Sequence, residues 1–532
     1  MKQYDNCRSS FKSHFEVWVL AGICLLAVVV HLPLLWGSFI AYDDTRWIVN
    51  NPEITKWNWE FFKDLFFTNY KNVNSTPMFI TFMLNWKVTP NYAGFAVFNL
   101  VWLVLTILMF YKFAGLFLKR KQWRLLACAL FSVHCVKADI VAWMSARCHF
   151  MGMIFFLGAF VAWQSYRDSL TFRRRLFWYV MVLVCGGLAI INKNIFIAVF
   201  PLVFIFDIYT GRRLSLKFVL DKIPLIVGAL LTIYLPQRTA GAVERLNLSS
   251  LKAKYASIVL TDLNLLMQYV LHLFVPRPTS VAVNVYSVEQ PFEVSPDASL
   301  MFMRLTPAVS AALLVFLVGF TVFVWRRYKC GLPFFAVCGS LVALVPVLNF
   351  MPFWTDFAFR FDWIPLTLFC VSSVSLFAVL WDRLSKGSRT VAAIVCVLYL
   401  MWHGVQSYVQ CSYWNTNEKY WESCISNYPD ATICSTKLGV PALIANRPKD
   451  TIKYYGIVDE MVTERKVKRR QVSGQMLGKA YEKLGNFSQA VFYYERSLLR
   501  DGINKKTRRQ IKKKLVKLRL KKNAKSEKGR SS

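Results

Sequence analysis

The sequence predicts an all-α polytopic membrane protein, and three observations predict it. The chain of 532 residues is 55% hydrophobic and 16% aromatic, with a mean hydropathy of +0.37, too apolar for a water-soluble protein of this length. Apolar runs recur along it, most of them long enough to cross a hydrocarbon core of ~30 Å. The basic residues are concentrated in short clusters between those runs, as the positive-inside rule produces.

The expected spans lie at about 17–37, 95–117, 125–137, 149–166, 176–192, 194–210, 218–236, 303–326, 332–351, 362–380 and 390–409. The first lacks a small-residue cleavage site and reads as a retained span rather than a leader. A further apolar run, 256–275, carries Asp262, Asn264, Gln268 and His272 at near-helical spacing. One face of that helix is polar, which predicts a segment lying at the interface rather than crossing.

Charge sets the expected orientation. Lys119, Arg120, Lys121 and Arg124 form one cluster, Arg173, Arg174 and Arg175 a second, and Arg212, Arg213 and Lys217 a third. Arg326, Arg327 and Lys329, then Arg383, Lys386 and Arg389, complete the set. With the N-terminus in the cytoplasm and 256–275 not spanning, all of them fall on the cytoplasmic side. This gives eleven spans and an outside C-terminus. Loops 38–94, 138–148 and 237–302, and everything after 409, then lie outside, as do the sequons at Asn74, Asn247 and Asn486. An endoplasmic-reticulum membrane and a bacterial inner membrane fit equally.

The chain thus divides into a membrane domain (1–409), an outside helical region (410–503) and a basic tail (504–532). The net charge of +35 invites nucleic acid as a partner, but its placement in span-flanking loops and in the tail argues against that. The tail is a Lys/Arg-rich, helix-like stretch that suits an anionic lipid surface or an acidic partner; a plain solvated tail is the alternative. The 13 cysteines show no metal-type spacing. Most sit in apolar runs as small hydrophobes, whereas Cys411, Cys424 and Cys434 lie beyond the last span and could pair on an oxidising side.

The chemistry concentrates where the first span ends, in FIAYDDTRWIVNNPEI from Phe39. Two adjacent carboxylates, Asp43 and Asp44, cost desolvation there unless they face water or a polar partner. The plain reading is helix-end acids beside an interfacial belt formed by Trp57 and Trp59.

Four motifs, in order, resemble the transmembrane-and-tetratricopeptide-repeat O-mannosyltransferases and their bacterial relatives, in the GT-C superfamily. The first is the YDD…NNP stretch. The second, FSVHCVKADIVAWMSARCHFMGMIF, supplies His134, Asp139, Trp143, Ser145 and Arg147. The third places Lys193, Pro201 and Asp207 at the family's spacing. The fourth, LVPVLNFMPFWTDFAFRFDWIPL, matches at Pro346, Asn349, Pro352 and Arg360. The sequence departs from the family at Ser75-Thr76-Pro77, where Tyr-Arg-Pro is expected, and at Ala96, Asp139 and Asn194, where His, Glu and an acid are usual.

The resemblance implies a GT-C-type bundle of about eleven transmembrane helices. It also implies transfer of mannose or another hexose from a polyprenyl-phosphate carrier to a hydroxyl, on protein, at the outside face. Such transfer needs a carboxylate to take the acceptor's proton and cations for the leaving phosphate at one depth. Asp43 or Asp44 is then the base, and Arg147 and Arg360 are the bidentate phosphate ligands. His134 and Lys193 assist, and Asp139 holds a divalent metal or orients an arginine. Each has a plain alternative: Arg147 as a snorkelling residue, His134 as a packed histidine, Lys193 as a boundary charge. Asp207, beside a basic cytoplasmic loop, reads as structural.

Beyond 409 hydropathy falls. GQMLGKAYEKLGNFSQAVFYYERSLL, from Gly474, fits a tetratricopeptide helix pair, with Leu477, Gly478, Tyr481, Gly485, Ala490 and Tyr494 at its packing positions. Weaker repeats are expected at 414–429 and 436–447, because one pair cannot bury a core alone. Such a region would present a protein acceptor or act as a structural cap. Two other function classes compete: a catalytically silent scaffold that binds a partner through the repeats, and, more remotely, a transporter, for which the chain lacks an inverted-repeat pattern.

Overall fold

A computed structural model describes residues 2–67, 75–237, 255–275, 306–348, 358–427, 432–464, 473–499 and 505–528. The expected sequons at Asn74 and Asn247, and Asn349 and Pro352 of the fourth motif, lie outside them. Every regular element among the described residues is helical. This follows from apolar surroundings, where a backbone must satisfy its own hydrogen bonds and only a helix does so within one segment.

The chain divides into two units, the first made of Met1–Ala282 with Met303–Thr416, the second containing Asn417–Ser532. In the first, α1 (Lys2–Val30) runs into a short 3₁₀ helix, Leu32–Trp36. The loop segment carries α2 (Trp59–Phe67) and α3 (Thr76–Val88). α4 (Tyr92–Phe117) and α5 (Lys121–Val133) follow, then the one-turn α6 (Ala138–Ala142), α7 (Arg147–Asp168) and α8 (Phe172–Asn192). Next come α9 (Val199–Tyr209), α10 (Leu216–Leu220), α11 (Ile223–Gln237) and α12 (Tyr255–Phe274). α13 (Pro307–Tyr328), α14 (Leu332–Leu344), α15 (Trp363–Trp381) and α16 (Lys386–Tyr413) complete it.

Among the described residues, six helices are long and apolar enough to cross a membrane: Tyr92–Phe117, Met144–Asp168, Phe172–Asn192, Ala308–Tyr328, Phe359–Trp381 and Lys386–Tyr413. The pair Lys121–Val133 and Cys135–Ala142, bent by 46°, makes up to seven. Three more of the expected runs form shorter apolar helices, Phe15–Val30, Asn194–Tyr209 and Leu332–Val347. In the second and third a 3₁₀ segment interrupts the run, at Asn194–Ala198 and at Val345–Val347, the latter centred on Pro346. Proline supplies no backbone N–H and clashes with the preceding turn.

Aromatic rings fill the bundle's interior. Phe110 stacks on Phe131 at 4.4 Å between centroids, Phe131 meets Trp363 at 5.4 Å, and Phe113 meets Phe160 edge-on at 5.6 Å. Such pairs contribute about 0.5–1.5 kcal/mol each beyond their burial. α12 turns its polar side into the bundle. Asp262, Asn264, Gln268 and His272 are all buried, Ser310 donates to Asn264 at 2.6 Å, and Val259 and Phe274 face outward. The polar stripe therefore meets protein groups rather than water.

Asp207, at the end of α9, is completely buried and joins three cations: Arg167 at 3.3 Å, Arg212 at 2.8 Å and Lys222 at 2.8 Å. Trp163 Nε1 donates to it at 2.9 Å. The network ties the ends of α7 and α9 to the segment between α10 and α11.

The second unit holds α17 (Asn417–Asn427), α18 (Thr432–Ile444), α19 (Pro448–Glu464), α20 (Ser473–Lys483), α21 (Phe487–Leu499) and α22 (Lys505–Lys528). α20 and α21 form a helix hairpin. Gly485 turns it at φ +70°, a conformation glycine adopts without Cβ strain. Leu477, Ala490 and Tyr494 are buried, and Tyr481 stacks on Tyr493 at 5.4 Å. A Cβ on Gly478 would stand 2.9 Å from the Tyr494 ring, so the small residue is what lets the hairpin close. Leu477 also packs on Tyr455 and Val458 of α19, which extends the layer. A disulfide joins Cys424 to Cys434, while Cys411 is a free, buried thiol. The basic tail is not separate from this layer, because Ile511, Leu515 and Leu518 of α22 pack on Ala490, Val491 and Tyr494.

Candidate active site

The loop after α1 places Asp43 and Asp44 differently, although they are neighbours. Asp43 is half-buried. Asp44 is buried, and its Oδ2 accepts from the Ile40 backbone N–H at 3.2 Å. Its Oδ1 accepts from both the backbone N–H and the hydroxyl of Ser145, at 2.9 and 2.5 Å. Burial raises the Asp44 carboxyl from 3.8 to about 6, against the opposing pull of these hydrogen bonds. The first-loop acid is thereby fastened to the second motif just ahead of α7.

Arg147 opens α7 and is completely buried. Its Nε donates to Asn99 Oδ1 at 2.8 Å. One terminal nitrogen donates to Asn85 Oδ1 at 2.9 Å and the Phe95 carbonyl at 3.1 Å. The other reaches the carbonyl and hydroxyl of Thr81 at 3.4 and 3.5 Å. The Phe82 and Phe95 rings lie 4.9 and 5.3 Å from the guanidinium carbon. A guanidinium has five N–H donors, and each has a protein acceptor here.

Arg360 is placed differently. It is 7% exposed, its guanidinium lies 5.5 Å from the Trp143 ring centroid, and its charge acts on Tyr42 and on Asp139. Tyr42 and Trp143 pack at 5.9 Å, and Trp143 stacks on Trp414 at 6.4 Å. First loop, second loop and the start of α15 therefore meet around Arg360. Asp139 is fully buried, and neither of its carboxylate oxygens has a hydrogen-bond partner among the described residues. Lys193, at the end of α8, is half-buried. Its charge and that of Arg360 both act on His149 and Cys148, so the two cations flank one locality.

His134 belongs to another cluster. Its Nε2 lies 3.0 Å from the Leu273 carbonyl, its Nδ1 accepts from the Val136 N–H at 3.3 Å, and its ring stacks on His403 at 4.0 Å. Both ring nitrogens are thus engaged. The sequence reading did not single out Lys137, buried and donating to the His134 carbonyl at 2.9 Å, nor the buried pair His272–Asp362 at 3.3 Å. It also missed the linking role of Ser145. The available signals were Asp362 two residues beyond Arg360, and Ser145 between Trp143 and Arg147.

No protein-family profile matches the chain. Among curated proteins it is similar to protein O-mannosyl-transferase TMTC4 of Homo sapiens, 24% identical over 232 residues, 39% of this chain and 31% of that protein. It is 27% identical to TMTC4 of Mus musculus over 214 residues, 35% of this chain and 29% of that protein. It is 22% identical to TMTC2 of Mus musculus over 208 residues, 37% and 25% of the two. The matched stretch spans less than a third of the length of these relatives. Among solved structures, one similar chain is an Archaeoglobus fulgidus oligosaccharyltransferase tethered with an acceptor peptide, at 14% identity and TM-score 0.42, covering 79% of this chain and 57% of that one. Another is ArnT from Cupriavidus metallidurans bound to undecaprenyl phosphate, at 12% identity and TM-score 0.36, covering 91% and 80%. The chain is a multi-pass membrane protein whose curated sequence relatives are O-mannosyl-transferases of the transmembrane-and-tetratricopeptide-repeat type, the family its motifs resemble.

Proposed function

We propose that this protein is a glycosyltransferase that moves a sugar from a polyprenyl-phosphate carrier to a hydroxyl acceptor on protein, at the non-cytoplasmic face. The observation that carries the reading is the meeting of Asp43, Asp139 and Arg360 around Tyr42 and Trp143.

Asp43 is the general base. It is the more accessible of the pair, whereas both Asp44 oxygens are bound to Ile40 and Ser145. Asp43 takes the acceptor's hydroxyl proton as the oxygen bonds to the anomeric carbon. The bond from that carbon to the phosphate oxygen breaks, and the electron pair leaves on the phosphate. A single displacement inverts the anomeric configuration. The phosphate is already a good leaving group, so one carboxylate suffices where a glycoside hydrolase needs two.

Arg360 and Lys193 receive the leaving phosphate. Arg147 and His134 act as positioning residues, since their donors are committed to the protein. Asp139 orients Arg360. Asp139 acts on Asp362, and three of their four carboxylate oxygens have no hydrogen-bond partner among the described residues, a donor set that a hard divalent cation keeping water ligands would fit; no step is routed through a metal. The disulfide Cys424–Cys434 supports an oxidising side for the C-terminal unit, as in a lumen or periplasm. That unit's helix hairpin presents the protein acceptor.

The test is sugar transfer by purified protein in detergent from labelled polyprenyl-phosphate sugars. Asp43→Asn should lower the rate by roughly 10²–10⁴ with folding intact; a fully active variant sinks the assignment. One observation favours the scaffold instead. Where the family carries Tyr-Arg, this chain has Ser75 and Thr76, whose hydroxyls go to the carbonyls of Asn192 and Leu65. Absence of transfer from every donor, with partner binding through the second unit retained, decides for the scaffold.

A further inference from the structure

The outward face of α22 is a built surface with one sign of charge. The helix holds thirteen Lys and Arg residues, and its only acid is Glu527. Ile511, Leu515 and Leu518 recur at the 3.6-residue period and are consumed in packing on α21. At the flanks of that seam Lys514 pairs with Glu482 at 2.7 Å and Arg519 with Glu495 at 2.6 Å. The opposite face presents Arg509, Lys513 and Lys517, all exposed. Among them, one turn apart, stand Val516 and Leu520, 62% and 67% exposed.

The position of the two apolar residues decides the partner. A soluble acidic peptide would need only the cations. Branched aliphatic side chains in the middle of a cationic face, with the helix's own hydrophobic seam already covered, match a bilayer surface, where headgroup charge meets acyl chain. The unit also follows the apolar helix α16 directly in the chain, so a membrane is always within tether length. We infer that α22 is a docking surface for anionic phospholipid, with Arg509, Lys513 and Lys517 on the phosphates and Val516 and Leu520 at the acyl boundary. This inference does not depend on the catalytic reading.

The experiment uses the full chain in lipid nanodiscs. Cys338 and Cys396, the free cysteines not buried among those described, and Cys7 are changed to serine, and Leu520→Cys carries a polarity-sensitive fluorophore. The expected result is a blue shift in phosphatidylserine-containing discs relative to phosphatidylcholine discs. That shift should be reversed by high salt and lost in the triple variant Arg509→Gln/Lys513→Gln/Lys517→Gln. These three side chains are exposed, and an unchanged melting temperature checks that the variant folds. Equal emission in the two discs overturns the inference. A shift on adding polyglutamate to the detergent-solubilised protein, with none in anionic discs, also overturns it and assigns the face to an acidic protein.

Discussion

Asp44 and Ser145 are joined twice, through the serine's backbone N–H at 2.9 Å and its hydroxyl at 2.5 Å. The pair lies 101 residues apart in sequence and fixes the first loop onto the second motif just ahead of α7. Ser145→Ala removes the hydroxyl and keeps the N–H. A hydrogen bond to a charged group contributes about 1.5–3 kcal/mol, so transfer should fall roughly 10- to 100-fold in kcat/KM. Ser145→Thr, which keeps the hydroxyl, should recover part of it. Steady-state kinetics of the two variants check this.

Acidification should be read differently in activity and in stability. Burial raises Asp44 from 3.8 to about 6, so the folded state takes up the proton before the unfolded chain does. Its contribution to stability is therefore full below about 3.8 and is lost as pH rises through about 6. Transfer should instead decline as pH falls through about 6, because the neutral carboxyl holds Ser145 less firmly. A pH–rate profile with an acid limb near 6, beside an unfolding midpoint that Asp44 does not lower over that range, is the expected combination.

Arg147 and Arg360 should separate experimentally. Arg147→Gln strands the acceptors on Asn85, Asn99 and Phe95 in a buried site. Each unsatisfied group costs about 1–3 kcal/mol, so the melting temperature in detergent should drop strongly. Arg360→Gln should raise the KM for the lipid-linked donor more than Arg147→Gln does in the protein that remains folded. An equal KM in the two variants would remove the distinction.

Asp207 gathers Arg167, Arg212 and Lys222 in a buried site at the other functional extreme, far in sequence from the acids. Asp207→Asn takes the carboxylate charge from Arg167 and leaves Arg212 and Lys222 to Asp221 alone. Breaking such a pair from one side costs about 3–5 kcal/mol. Any protein that remains folded should keep its KM for donor, which a titration of donor concentration would show.

The α20–α21 hairpin closes on Gly478 against Tyr494. Gly478→Val should force the ring away at roughly 1–3 kcal/mol, the usual penalty for overpacking. Limited proteolysis at the Gly485 turn would report the loosening.

The sequence by itself determined that this chain is helical and apolar and that its basic loops alternate with membrane-length runs, because periodicity and transfer free energy are local properties. It also marked the Asp43–Asp44 loop and the Trp143–Arg147 stretch as chemically unusual, and Gly485 as the turn of a helix pair. Only the tertiary structure decided which of these side chains are spent. Arg147 and Arg360 look alike in sequence, each near the end of an apolar run. One finds acceptors on α3 and α4, some fifty or more residues back, while the other stands over Trp143 beside Asp139 and Tyr42. The polar stripe of α12, legible as a face, could be placed toward water or protein only once Ser310 and Asp362 were beside it. Hydrogen-bond partners far apart in the chain are selected by packing, and a linear pattern carries the donors without naming their acceptors.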